Sequence, residues 1–140
     1  LQTIIFFADQ AAAPDGAVFT ITRGGIDRFK SANSPAKFVT QLVVHLAAEP
    51  FDAGKYATEL RILGPDGQYA ADVVKGAIDV KLTGGRATMI VPLALTLSFG
   101  QYAAHFYLNG IRVAHCPFAV HSSSAAGPML PLGGMSIEMQ

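Results

Sequence analysis

The dipeptide Asn109-Gly110 lies between two runs of alternating apolar residues, 102–108 and 111–114, and constrains this chain more than any other feature. Both residues tolerate φ > 0, as a two-residue type I′ turn demands, and that turn's twist matches the strands it joins. A regular ladder through it sets Leu108 against Ile111, Phe106 against Val113 and Ala104 against His115. Tyr107 and Arg112 then share the opposite face. One side of this hairpin is apolar and the other wetter, so a second layer must cover the apolar side. An all-β sandwich follows.

The rest of the chain repeats the pattern. Residues 3–8 form a short β-branched and aromatic run, read as a strand covered on both sides. Residues 11–16 read as a loop punctuated by Pro14-Asp15-Gly16, and alternation over 18–22 leads to Gly24-Gly25. Phe38, Thr40, Leu42, Val44 and Leu46 keep a strict period of two. Leu60 and Ile62 are expected to point inward, with Glu59 and Arg61 outward. Gly64-Pro65-Asp66-Gly67 fits a type I turn closed by a left-handed glycine, and a weaker strand is expected over 68–74. Gly84-Gly85 reads as a second two-residue hairpin, with Leu82 facing Ala87, Val80 facing Met89 and Ile78 facing Val91. Pro92 would remove a ladder donor, which marks a bend or a sheet edge. Parity changes between Ile111 and Val113 on one side and Phe118 and Val120 on the other. A bulge near His115-Cys116 would reconcile them. Tyr102, just after Gly100, resembles the tyrosine corner of immunoglobulin-like sandwiches, whose hydroxyl bonds upstream backbone; an ordinary core tyrosine is the other reading.

These signals predict a two-layer antiparallel sandwich, an immunoglobulin-like Greek key of about eight strands, with a small closed barrel as the alternative. The domain is expected over residues 1–121, followed by an extended C-terminal arm over 122–140. The arm opens with Ser122-Ser-Ser-Ala-Ala-Gly127, a linker composition, and then carries Met129, Leu130, Leu132, Met135 and Ile137 between prolines and glycines. Such anchors suit docking on another subunit or adding a strand to its sheet edge, with packing back on the chain's own domain as the alternative.

Composition narrows the function classes. At 140 residues the chain suits one domain, and charged residues make up 14% of it, against roughly 25% in an average soluble domain. Ten acidic residues balance ten basic ones, so no field draws in nucleic acid or anionic lipid. Mean hydropathy is positive, yet no apolar run approaches the roughly 18 residues of a membrane span. The excess points to a protein interface, or to alanine content inflating the index. A lone cysteine, Cys116, excludes an internal disulfide and reads as a buried inert thiol. No basic-then-apolar leader opens the chain, so a cytoplasmic setting is expected, with a trimmed leader left open by the start at Leu1.

The four histidines, Cys116 and Asp27 are the residues that could carry chemistry. The regular hairpin register turns His105 and His115 to opposite faces, His45 has the outward parity of its strand, and His121 opens the linker. No pair has the spacing of a metal site, so no metal, cofactor or catalytic residue is expected. Asp27 in Gly24-Gly-Ile-Asp-Arg-Phe29 is the most distinctive polar position; pairing with Arg28 or capping a turn explains it without catalysis. Tyr107 opposite Arg112 suits a surface cation–π pair.

Three stretches carry a resemblance: Phe7-Ala-Asp9, Gly24-Gly-Ile-Asp27, and Phe99-Gly-Gln-Tyr102 through Val120. Together they resemble a group of small bacterial immunoglobulin-like domains of unknown function, over residues 3–121. The resemblance implies a sandwich and a bacterial, cytoplasmic setting, and brings no catalytic residue. The arm lies outside it.

The expectation for function is a non-enzymatic structural or protein-interaction module that assembles with itself or a larger bacterial complex, with the C-terminal arm as a candidate contact. The alternative is a small-ligand-binding sandwich with a loop-end pocket at Ile26, Asp27, Arg28 and Phe29. Protein is the expected partner, with no nucleic acid and no membrane span.

Overall fold

A computed structural model describes residues 1–14, 16 and 19–123. Nine strands run through them: β1 Gln2–Ala12, β2 Thr20–Ile26, β3 Arg28–Ser31, β4 Ala36–Ala48, β5 Gly54–Leu63, β6 Val74–Val80, β7 Gly85–Leu97, β8 Gly100–Leu108 and β9 Ile111–Ser122. A single 3-10 turn, Pro50–Asp52, joins β4 to β5. The strands form a four-stranded sheet, β2-β1-β4-β7, and a five-stranded sheet, β3-β9-β8-β5-β6. The all-β two-layer sandwich is as expected. The pairing is antiparallel throughout except for β3, which runs parallel to β9. β9 continues through Ser122, one residue into the stretch read as linker.

The core lies between the layers and is built by period-two alternation. Leu42, Val44 and Leu46 of β4 and Val91, Leu93, Leu95 and Leu97 of β7 face Leu60, Ile62, Ala104, Phe106, Leu108, Phe118 and Val120 of the other sheet. Phe7 bridges the layers, its ring 5.0 Å from Phe118 and 5.4 Å from Phe29. Each such side chain contributes about 1.5–3 kcal/mol when taken fully from water. Glu59 and Arg61 face outward and pair with each other.

Two turns form as the sequence predicts. Gly67 N–H donates to the Gly64 carbonyl at 3.0 Å, with Gly67 at φ +78°. Asn109 and Gly110 both take positive φ, 49° and 81°, between the adjacent ends Leu108 and Ile111. The Tyr102 hydroxyl donates to the Ser98 carbonyl at 2.7 Å, so the corner reading holds. The weak strand over 68–74 shrinks to one bridge, Leu63 with Tyr69, before β6 begins.

Three expectations need correction. First, Gly84-Gly85 does not close a hairpin. β6 pairs with β5 and β7 with β4, so the turn carries the chain from one sheet to the other. Ile78, Val80, Ala87, Met89 and Val91 do reach the interior, but from opposite layers. Leu82, beyond the end of β6, is exposed instead. A period-two stripe specifies which side chains go inward, and a neighbour in the ladder or in the facing layer satisfies it equally.

Second, the parity break is a bulge at Val113, two residues earlier than expected. Tyr107 pairs with Arg112 but Phe106 pairs with Ala114, leaving Val113 as the extra residue. Phe106 therefore never faces Val113, nor Ala104 His115; Ala104 faces Cys116 and His105 faces His115.

Third, His45 is outward by parity yet buried. β1 stops pairing with β4 after Ala8, and the β1–β2 hairpin folds back across the outer face of its own sheet. Gly16 O accepts from Thr88 N at 2.8 Å, and the Phe19 ring lies 5.1 Å from His45 and 6.0 Å from Phe6. Because Thr88 turns its N–H away from β4, Pro92, four residues on, directs its missing donor to the same open edge, as its edge reading requires.

Candidate functional site

The expected ligand loop is a crossing point between layers. Ile26 ends β2 opposite Phe7, and the Asp27 carbonyl accepts from Ala119 N–H at 2.9 Å as the chain enters β3. Arg28 Nε lies 3.9 Å from Asp27 Oδ1, both side chains half exposed. The Phe29 ring stacks on Phe38 at 4.5 Å and meets Phe7 and Phe118 edge-on. Three phenylalanine rings thus occupy the interior beside Ile26 and Phe29. The arm residues Met129, Leu130, Leu132, Met135 and Ile137 lie outside the described residues.

Two of the most exposed apolar side chains lie on turns near the opposite end of β4. Phe51 is 84% exposed in the 3-10 turn, and Leu82 is 85% exposed in the turn between β6 and β7. The two turns touch: a Cβ on Gly84 would stand 2.8 Å from Ala48 O and from Pro50 N. Beside them a cavity of about 290 Å³ opens between β6 and β7 over Leu46, Ile78, Val80 and Ala87, with Lys81 and Arg86 also lining it. The period-two pattern set Leu82 inward and did not mark Phe51. The available signal was an aromatic within Glu49-Pro-Phe-Asp52, a run otherwise made of turn residues.

The outer face of the five-stranded sheet carries the densest set of polar and aromatic groups. Arg61, His105 and His115 occupy one row across β5, β8 and β9; Glu59, Tyr107 and Arg112 occupy the next. The guanidinium over Tyr107 belongs to Arg61, 3.9 Å from the ring centroid, and not to Arg112 as expected. Glu59 holds Arg61 in place, and Tyr69 lies on its other side at 5.8 Å. The His105 and His115 rings lie 6.2 Å apart in a T-shaped contact, so the two histidines expected to point apart are neighbours. Burial, then the charges of Arg112, His115 and Arg61, hold His105 below the ordinary imidazole pKa. Among the described residues no three of His, Cys, Asp and Glu converge.

His45 sits under the folded-back hairpin. Its Nδ1 lies 2.8 Å from Thr88 Oγ1, and Arg86 donates to Nε2 at 3.1 Å, a geometry that requires the neutral ring. Burial, then the Arg86 charge, lowers its pKa. Cys116 is half-buried against the core, and burial raises its thiol pKa, in keeping with an inert role.

No curated protein matches this chain. Among solved structures it is similar to the Pseudomonas fluorescens alkylpurine DNA glycosylase AlkC bound to DNA containing an abasic site analog. That match has 14% identity and a TM-score of 0.48, over 86% of this chain and 30% of that one. It is also similar to a putative beta-galactosidase from Bacteroides fragilis, with 11% identity and a TM-score of 0.42, over 66% of this chain and 15% of that one. The chain thus spans less than a third of either protein's length. A protein-family model matches residues 3–121, nearly the whole described sandwich. This chain belongs to the family of unknown function DUF6941.

Proposed function

We propose that this chain is a non-enzymatic structural or protein-interaction module, cytoplasmic in a bacterium, that assembles with itself or with a larger complex. The observation that carries this reading is the pair Phe51 and Leu82, 84% and 85% exposed on touching turns beside a cavity of mixed apolar and charged lining. Large apolar side chains left together in water mark interaction sites when they adjoin a concavity. Burying both would contribute about 3–6 kcal/mol, which reaches only the low end of the roughly 4–15 kcal/mol that association costs. They therefore act as anchors within a wider contact. Met129, Leu130, Leu132, Met135 and Ile137 of the arm are further apolar residues in the sequence that suit such a contact.

The test measures mass by light scattering, for the pure chain and for a tagged chain in an extract of its own cells. The full chain is expected to run above its monomer mass in at least one setting. The double substitution F51S/L82S, and a chain ending at Ser124, should each shift it toward the monomer. A wild-type monomer in both settings, or masses unmoved by either change, would overturn the reading.

A further inference from the structure

We infer that His105 and His115 form a two-imidazole chelate for a borderline transition-metal ion, with copper(II) bound most tightly. This is independent of whether the chain assembles. The two residues are direct cross-strand partners on β8 and β9, held by a ladder that continues from the Asn109-Gly110 turn. Directly opposed residues place their Cβ atoms about 4.5–5.5 Å apart on one face. That suits two imidazoles closing on a single ion without backbone movement.

The ring separation can be compared with what chelation needs. A metal–nitrogen bond of about 2.0–2.1 Å plus about 1.2 Å from nitrogen to ring centre sets each centroid about 3.2 Å from the ion. Two such rings at 90–110° stand about 4.6–5.3 Å apart. The observed 6.2 Å lies above that range, and rotation of the two rings about χ1 and χ2 is the movement that binding requires.

The surroundings leave room for it. Glu59 and the Tyr107 ring fix the Arg61 guanidinium one row away. The row on the other side holds Leu63, Ala103 and Pro117, and the two next to the histidines on β8 and β9, Ala103 and Pro117, lack long side chains. His115 is exposed, so an ion enters directly from solvent. The other histidines do not compete as a pair. His45 has both nitrogens engaged beside Phe19, and His121 lies across from Lys30 on β3. For a nitrogen site of open geometry the divalent order rises through nickel to copper and drops at zinc.

The experiment titrates copper(II), nickel(II) and zinc(II) salts singly into the full chain, by calorimetry and, for copper, by electron paramagnetic resonance. One copper per chain with hyperfine coupling from two imidazole nitrogens is expected, weaker binding of nickel, and weaker still of zinc. H105Q and H115Q should each weaken copper binding about tenfold or more, while H121Q leaves it unchanged. Unfolding midpoints of the three variants check that the sheet is intact; H115Q alters an exposed position and carries the test if H105Q destabilises the strand. No saturable copper site, or an H105Q/H115Q chain that binds as tightly as wild type, overturns the inference.

Discussion

Removing one oxygen atom, by Tyr102→Phe, isolates the bond that ties the start of β8 to the end of β7. The hydroxyl donates to the Ser98 carbonyl at 2.7 Å, while the ring stacks on Phe118 with centroids 5.6 Å apart and planes 19° from parallel. Phenylalanine keeps the ring, its stacking and its burial, so only the hydrogen bond is lost. A buried bond of this kind contributes about 0.5–1.5 kcal/mol net. Ser98 is an exposed residue, so its freed carbonyl regains water and the full penalty of an orphaned acceptor does not apply. The expected cost is about 1 kcal/mol, or roughly 2–5 °C in Tm for a domain of this size. Tyr102→Ala, which also removes the ring, should cost about 3–5 kcal/mol. Urea unfolding followed by circular dichroism measures both, and an unchanged m-value shows that the transition itself is the same. Alkaline pH offers a second reading. Burial, then the charge of Asp66, raises the Tyr102 pKa above its ordinary 10.0. The native state therefore holds this proton longer than the unfolded chain. The associated stability is complete below pH 10 and falls as pH rises through the folded value. Tyr102→Phe should remove that part of the alkaline loss. A substitution that costs under about 0.3 kcal/mol, or as much as Tyr102→Ala, would refute the assignment of a single corner bond.

Acid should act on His45 in the opposite sense. Its pKa is lowered from 6.5, so the native state binds fewer protons than the unfolded chain; stability is complete above pH 6.5 and falls as pH drops through the folded value. Urea midpoints between pH 8 and 5 measure this, and His45→Gln should flatten the slope; an unaltered slope would show that the ring is not the sensor. Gly84→Ala and Gly110→Ala form a matched pair at φ +71° and +81°. With open space around it, Gly110→Ala should cost about 1 kcal/mol from the left-handed backbone alone. At Gly84 a Cβ meets backbone of the neighbouring turn at 2.8 Å, which adds about 1–3 kcal/mol of strain. Equal costs in denaturant melts would mean that the two turns do not pack together.

Local chemistry was legible in this chain, and partnership between distant strands was not. Asn109-Gly110 and Gly64–Gly67 specify their reversals because the backbone conformation needed there is one that only a few residues adopt cheaply. The stripe from Phe38 to Leu46 marks an inward face because side chains alternate across any strand. Expecting His105 and His115 to point apart followed correctly from a regular ladder, but the ladder is not regular. The extra residue is Val113, and it brings His105 and His115 together. A change of parity in sequence says that one residue must be extra, and the site of the bulge is decided by which apolar side chains the other layer accommodates.

What the amino-acid order determined by itself is the class of structure: strands with an alternating apolar stripe, and where the tight reversals fall. Only the tertiary structure decided that β6 and β7 belong to different sheets, that a hairpin lies over His45, and that Phe51 and Leu82 are exposed on turns that touch each other. The reason is the range of the forces. Backbone preference and alternation act over a few residues, whereas the choice between a ladder neighbour and a facing layer depends on every other strand competing for the same apolar surface.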